Sequence, residues 1–209
     1  MAFFPELYKT YCLVGSRASG KTVLAKTMLT TKNRLSEGVK SWHVFTNGVS
    51  AEQYEFLEGK NSPHRVHMTL DTAKIQKLLD LNEKRKLKKK TLINFGLVFD
   101  DCLDKTSGND PVIQKLFTQG RHYKFSILYL TQSVSMGLPP TVRRNCDVWF
   151  VLRPRIAKDI KFYYEELLSV DYTLQEAQAL FAKLQPYQAL IISFQNSGTL
   201  ELFLVKSHH

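Results

Sequence analysis

A short apolar run, Tyr11-Cys-Leu-Val14, leads directly into Gly15-Ser16-Arg17-Ala18-Ser19-Gly20-Lys21-Thr22, and a helical pattern follows at Val23, Leu24, Thr27 and Met28. The eight residues match G-x-x-x-x-G-K-[ST], the phosphate loop, in the strand–loop–helix context that the motif requires. The glycines let the backbone curl so that successive N–H groups point at phosphate oxygens, and the new helix adds its positive end. Lys21 is then a point charge for the β- and γ-phosphates, and Thr22 a hydroxyl for Mg²⁺. This arrangement predicts a nucleotide-binding α/β fold, with Gly15 to Thr22 as the ATP contacts.

A second motif lies some eighty residues on. Leu97-Val-Phe-Asp100-Asp101 reads as a hydrophobic strand ending at Phe99 and tipped by two carboxylates. Beside a phosphate loop, the first acid orients Mg²⁺ and the second polarises the attacking water. An Asp-Asp pair after a strand is otherwise a turn or a helix cap.

The remaining pattern alternates strands and helices. Strands are expected at about 11–15, 41–46, 66–68, 125–130 and 147–152, and helices at about 21–30, 50–58, 156–169 and 173–184. Asp71 caps a helix from Thr72 with Ile75, Leu78, Leu79 and Leu81 on its apolar face, while Pro111 opens another that closes at Gly120. Residues 188–194 and 199–205 flank a Gln195-Asn-Ser-Gly198 turn and read as an antiparallel hairpin. The expected fold is a P-loop NTPase domain over residues 1–206, with a mostly parallel central sheet, flanking helices and a C-terminal hairpin; residues 207–209 are left as a tail.

Charge narrows the partners. The chain carries 29 Lys and Arg against 19 Asp and Glu, a formal +10. That excess favours a polyanion, nucleic acid before an anionic membrane. No apolar run is long enough to span a bilayer. Met1-Ala-Phe-Phe-Pro5 lacks the charged start and long apolar stretch of a secretory signal, and the three cysteines show no pairing pattern. A soluble, intracellular protein is expected. His64 and His67 do not sit on a convincing helix, so a metal site there is not expected.

The stretch Gly120-Arg-His-Tyr-Lys-Phe-Ser-Ile-Leu-Tyr-Leu-Thr-Gln132 points to a family. A strand ending in Thr-Gln about thirty residues after the acidic pair resembles the FtsK/HerA superfamily of DNA-pumping ATPases. The Gly-Arg-His run, with Arg143-Arg-Asn-Cys-Asp-Val-Trp-Phe150, resembles its poxvirus-type genome-packaging group. The resemblance spans about residues 11–152. It implies ATP hydrolysis with Mg²⁺ in a homo-oligomeric ring of five or six subunits. Such a ring threads double-stranded DNA into a capsid at its portal vertex, in the host cytoplasm or viral factory, or as a component of the virion. By the same resemblance Gln132 is the sensor of the γ-phosphate or water, and Arg121 is the arginine finger offered to a neighbouring subunit. Arg143 and Arg144 compete for that role or bind DNA phosphate. Many superfamily members have Glu where this chain has Asp101.

Lys84, Arg85, Lys86, Lys88, Lys89 and Lys90 form a basic run. Such runs are commonly solvated helix faces; in a ring they would line the pore and track DNA phosphates without regard to sequence. Two other classes fit the phosphate loop. A small nucleoside or nucleotide kinase would carry an Arg-rich lid, and the one clustered charge here is this Lys-dominated run. A DNA-binding ATP switch of the partition type carries an extra Lys early in the loop, where this chain has Arg17.

Overall fold

The structure is a computed structural model and describes residues 5–104, 106–132, 140–194 and 200–206. The expected hairpin turn at 195–198 and the tail 207–209 lie outside them. Eight strands form one sheet in the order β3-β2-β4-β5-β1-β6-β7-β8. They are β1 (Thr10–Val14), β2 (Ser41–Thr46), β3 (Arg65–His67), β4 (Phe95–Asp100), β5 (Phe125–Thr131), β6 (Val148–Leu152), β7 (Gln188–Phe194) and β8 (Leu200–Lys206). Neighbours from β3 through β6 pair in parallel. β7 and β8 are added antiparallel at the edge.

Alternation along the central strands explains why both faces are covered. Cys12, Val14, Phe99, Ile127, Tyr129, Trp149 and Val151 point to one face. There they meet helices α3 (Thr72–Leu87), α4 (Pro111–Gln119), α5 (Pro140–Arg144), α6 (Ala157–Tyr163) and α7 (Leu174–Ala182). Tyr11, Leu13, Val44, Val98, Leu128, Leu130 and Phe150 point to the other, under α1 (Lys21–Thr30) and α2 (Arg34–Gly38). Fully burying each Val, Leu, Ile or Phe side chain among them contributes about 1.5–3 kcal/mol. Trp42 lies flat over β4, where a Cβ on Gly96 would stand 2.2 Å from its ring, so that strand position requires glycine. Among the described residues, no helix is long and apolar enough to cross a membrane.

Several boundaries differ from expectation for identifiable reasons. β4 runs through Asp100, which pairs with Thr46 and Leu130, and stops only at Asp101, whose φ of 49° leaves the strand. Leu81, expected on the buried face of α3, is 40% exposed, and Asn82 takes the interior place. Its amide bonds the Ile93 N–H and carbonyl and the Tyr123 carbonyl, so a polar side chain is fully used inside. The segment near 50–58 is a 3₁₀ helix, Gly48–Leu57, and the helix from Ala157 relaxes into a π-helical turn at Tyr164–Leu168.

The parallel strands give the sheet two chemically distinct ends. Their C-terminal tips lie along the end that carries the loop after β1. The chain enters them at the other end, where α3 and the 3₁₀ turn Gly120–Tyr123 finish.

Candidate nucleotide site

The loop after β1 is built to hold an anion. The Gly15 N–H donates to the Thr131 carbonyl at 3.2 Å, tying the loop to the end of β5. Ala18 and Gly20 both take left-handed backbone, with φ of 58° and 100°, which turns the intervening amides inward. A Cβ on Gly15 would lie 2.7 Å from the Ser19 hydroxyl and 2.8 Å from Leu152, so only glycine lets the loop fold this closely. The helix begins at Lys21, and the Leu24 N–H donates to Gly20. The hydroxyls of Ser16 and Ser19 are buried without a partner among the described residues, as expected where a ligand is to supply one.

Lys21 is 6% exposed, and its Nζ donates to the Gly15 and Ser16 carbonyls at 2.8 and 3.2 Å. Burial lowers its pKa, and the charges of Asp101 and Asp100 act against that shift. The ammonium therefore sits over the loop, with two carbonyl bonds to exchange for phosphate oxygens.

Asp100 sits at the tip of β4, opposite the loop. Its Oδ2 accepts from the Thr22 hydroxyl at 3.3 Å and from the Tyr54 hydroxyl at 2.9 Å. Desolvation raises its pKa; the Tyr54 bond opposes this, Asp101 adds to it, and Lys21 and Thr22 oppose it. A hydroxyl and a carboxylate this close, beside a phosphate cradle, fit Mg²⁺, which keeps several waters and takes one or two protein oxygens. Thr22 and Asp100 would hold it, and the ion supplies neutralisation of the phosphate charge when bound. Among the described residues there is no cluster of three or more His, Cys, Asp or Glu suited to a metal; His64 instead accepts from the Trp42 N–H, and His67 stacks on Phe45.

Asp101 bonds differently. Its side chain accepts from Gln132 Nε2 at 2.7 Å, linking the tips of β4 and β5. Left-handed backbone at a non-glycine residue is uncommon, and Asp is among the few that tolerate it. That φ gives a local reason for Asp at this position. Lys21, Thr22, Asp100, Asp101 and Gln132 thus share one cavity of about 360 Å³, together with Arg17, Ala18, Ser19, Gly20, Ser50, Gln53 and Tyr187.

Tyr54 had no sequence signal beyond its place on the short helical segment after β2. It is fully buried 46 residues from Asp100, and a buried phenol needs a partner for its hydroxyl. Tyr54→Phe keeps the packing and removes the bond that orients Asp100. We expect about a tenfold rise in the Mg²⁺ concentration for half-maximal turnover, the scale seen when partners of metal ligands are lost. A magnesium titration of steady-state ATPase checks this, and an unchanged midpoint would remove Tyr54 from the site.

The remaining cations lie elsewhere. Arg121 and Arg144 line a small cleft with Tyr8, Thr10 and Asn145 at the end where the strands begin. Seven residues of β5 separate Arg121 from Gln132, about 20 Å of extended chain. Arg143 is held locally: its Nε is 3.9 Å from Glu166, an ion pair without a hydrogen bond, and its guanidinium lies over the Phe162 ring. Lys84, Arg85 and Lys86 form the last turn of α3, Lys88 caps it, and Lys89 turns through a φ of 52°. Cations suit a helix C-terminus. Arg85 donates to the Thr91 carbonyl and Lys86 lies over Tyr123, while Lys88, Lys89 and Lys90 are exposed. The basic run therefore shares the Arg121 end of the sheet.

Comparison with known proteins accords with this geometry. The genome packaging NTPase B204 from Sulfolobus turreted icosahedral virus 2, in its sulfate complex, superposes with a TM-score of 0.67 at 20% identity, over 93% of this chain and 95% of that one. B204 from Sulfolobus turreted icosahedral virus, described as a DNA-packaging ATPase, gives 0.67 at 16% identity over 95% and 98%. EssC (ATPases 2 and 3) from Geobacillus thermodenitrificans gives 0.64 at 12% identity, over 96% of this chain and 40% of that one. At such identities the likeness is one of fold. No curated protein sequence matches the chain. A family model does: residues 6–152 match that of the poxvirus A32 protein. With the phosphate loop, the acidic strand tip and the Thr-Gln strand all inside the matched span, the chain belongs to the poxvirus A32 family of viral packaging ATPases.

Proposed function

We propose that this ATPase is a motor that drives double-stranded viral DNA into a capsid, working as one subunit of a homo-oligomeric ring of five or six copies at the portal vertex. The observation that carries the reading is the joining of Lys21, Thr22, Asp100, Asp101 and Gln132 around one cavity, in a chain of the A32 family. The names of the B204 relatives, a genome packaging NTPase and a DNA-packaging ATPase, support the same direction. Its place of work would be the host cytoplasm or viral factory.

In this mechanism the loop amides and Lys21 hold the β- and γ-phosphates of ATP. A water attacks the γ-phosphorus, the bond from that phosphorus to the bridging oxygen breaks, and the water's proton passes to the Asp101 carboxylate. Gln132, bonded to that carboxylate, aligns it and registers its change of charge. Arg121 lies too far from its own cavity to serve it and would act on the next subunit's γ-phosphate. The exposed Lys88, Lys89 and Lys90, with Lys84, Arg85, Lys86 and Arg144, offer a basic surface for DNA phosphates; Arg143, already paired with Glu166, contributes less.

The test is ATP hydrolysis by the purified chain with and without duplex DNA. Turnover is expected to rise on adding duplex. Phosphate appearing on an added nucleoside would indicate a kinase instead, and a nucleotide-dependent affinity for DNA with no stimulated turnover would indicate a switch. The triple variant Lys88→Ala, Lys89→Ala, Lys90→Ala is expected to bind duplex more weakly, with a log K against log salt slope shallower by about 3. An unaltered slope would place the DNA on another surface.

A further inference from the structure

The 3₁₀ helix Gly48–Leu57 follows β2 and is tied to the acidic tip of β4 by the bond from Tyr54 to Asp100. In such a helix side chains three apart eclipse one another, so the segment presents three stripes. Ala51, Tyr54 and Leu57 form the buried one. Glu52 and Glu55 form a second, which is exposed and does not border the cavity of Lys21. Ser50, Gln53 and Phe56 form the third. Ser50 and Gln53 border that cavity, beside Lys21, Thr22, Asp100 and Asp101. The far end of this stripe is set against α1: the Nζ of Lys26, one turn beyond Thr22, lies 5.0 Å from the centre of the Phe56 ring. A turn back on each helix, Thr22 and Gln53 are both at the cavity. The Gln53 side chain is exposed and has no hydrogen-bond partner among the described residues. The Gln132 amide, by contrast, already donates to Asp101.

We propose that Gln53 contacts the terminal phosphate, donating its side-chain amide to a γ-phosphate oxygen, and so lets the site tell ATP from ADP. The proposal rests on the ATPase reading of the phosphate loop. Across the strand tips the order is the phosphate loop after β1, Gln132 after β5, the Asp100–Asp101 tip of β4 and the 3₁₀ helix after β2. A triphosphate gripped by Lys21 and directed toward Asp101 therefore brings its last phosphate toward the β2 side. Ionised carboxylates accept hydrogen bonds and cannot donate them, so the side-chain donors beyond the acidic tip are the Ser50 hydroxyl and the Gln53 amide. Gln53 has the longer reach of the two. ADP has no oxygen at that place, and a site that hydrogen-bonds a group discriminates against the ligand lacking it. Tyr54, the next residue, orients Asp100, so one short turn of chain carries both the phosphate contact and the support of that carboxylate.

The experiment uses the full chain and measures equilibrium binding of ADP and of β,γ-methylene-ATP, each with magnesium, by calorimetry. Gln53→Ala should weaken the triphosphate analogue about tenfold, the scale of one hydrogen bond to a charged group, and leave ADP within about twofold of wild type. Gln53→Glu keeps the size of the side chain but sets a carboxylate against the phosphate, and should weaken the analogue further. Glu52→Gln, on the stripe that faces away, should bind both nucleotides as wild type does. Thermal melts of all three variants serve as the folding control. An equal loss of ADP and analogue in Gln53→Ala, no loss of either, or wild-type analogue binding by Gln53→Glu would overturn the contact while leaving the phosphate loop in place. If the wild-type chain binds neither nucleotide, the phosphate-loop reading fails and this proposal goes with it.

Discussion

Replacing Lys21 with Ala should lower ATP turnover by about 10³-fold, the scale on which a positioned donor to developing charge contributes. The Nζ is desolvated and bound to two carbonyls of the loop it completes, so its charge is little screened by water. The variant should stay folded, because the ammonium stabilises the loop through two backbone bonds and not through the core. Lys21→Arg should not recover activity: the longer planar group does not fit between the Gly15 and Ser16 carbonyls as a point charge does. Single-turnover hydrolysis, with a thermal melt as the folding control, measures both. A Lys21→Ala protein that keeps a tenth of wild-type activity would remove this residue from the chemistry.

Arg121→Ala is the second large effect, about 10³-fold or more if its guanidinium serves a neighbouring γ-phosphate. The distance along β5 makes the test unusually clean, because in the proposed ring Arg121 and Lys21 of one subunit would serve different active sites. Each variant alone should be inactive. Mixed in equal amounts and allowed to assemble, they should regain activity, since about a quarter of the head-to-tail interfaces then join an intact Lys21 to an intact Arg121. Recovery on mixing is the expected result. Full activity of Arg121→Ala alone, or no recovery in a mixture shown to co-assemble, would assign the residue to the cleft it shares with Arg144 or leave Arg144 as the finger.

Where local chemistry decides, the sequence was easily read. Helix 21–30, strand 41–46 and strand 188–194 stand where periodicity and glycine placement put them, and Asp71 and Pro111 open their helices as capping chemistry requires. The nearness of Lys21, Thr22, Asp100, Asp101 and Gln132 could also be anticipated, since each lies at the tip of a parallel strand or in the loop after one. What could not be read depends on contacts between distant segments. Nothing near Tyr54 announces a bond to Asp100, and nothing near Tyr187 announces its place on the cavity of the phosphate loop. Asn82 in place of Leu81 is a further case: three backbone groups on two other segments make the polar residue the better interior choice. The basic run reads equally as a solvated helix end or as a nucleic-acid surface, and its setting, at the Arg121 end of the sheet and away from the phosphate loop, comes from topology alone.

β5 has a mechanical consequence. It is buried along all seven residues, hydrogen-bonded on one side to β4 and on the other to β1, with Gln132 just past one end and Arg121 just before the other. Sliding it by a single residue would turn every side chain to the wrong face. The strand therefore cannot act as a loose wire between the two ends; it behaves as a stiff push-rod, and a shift at the Gln132 tip reaches the Arg121 corner only if the whole sheet tips with it. In the proposed ring such tipping would move one protomer's nucleotide cleft and the Arg121 corner offered to its neighbour as one body, so that the two sites would change state in step.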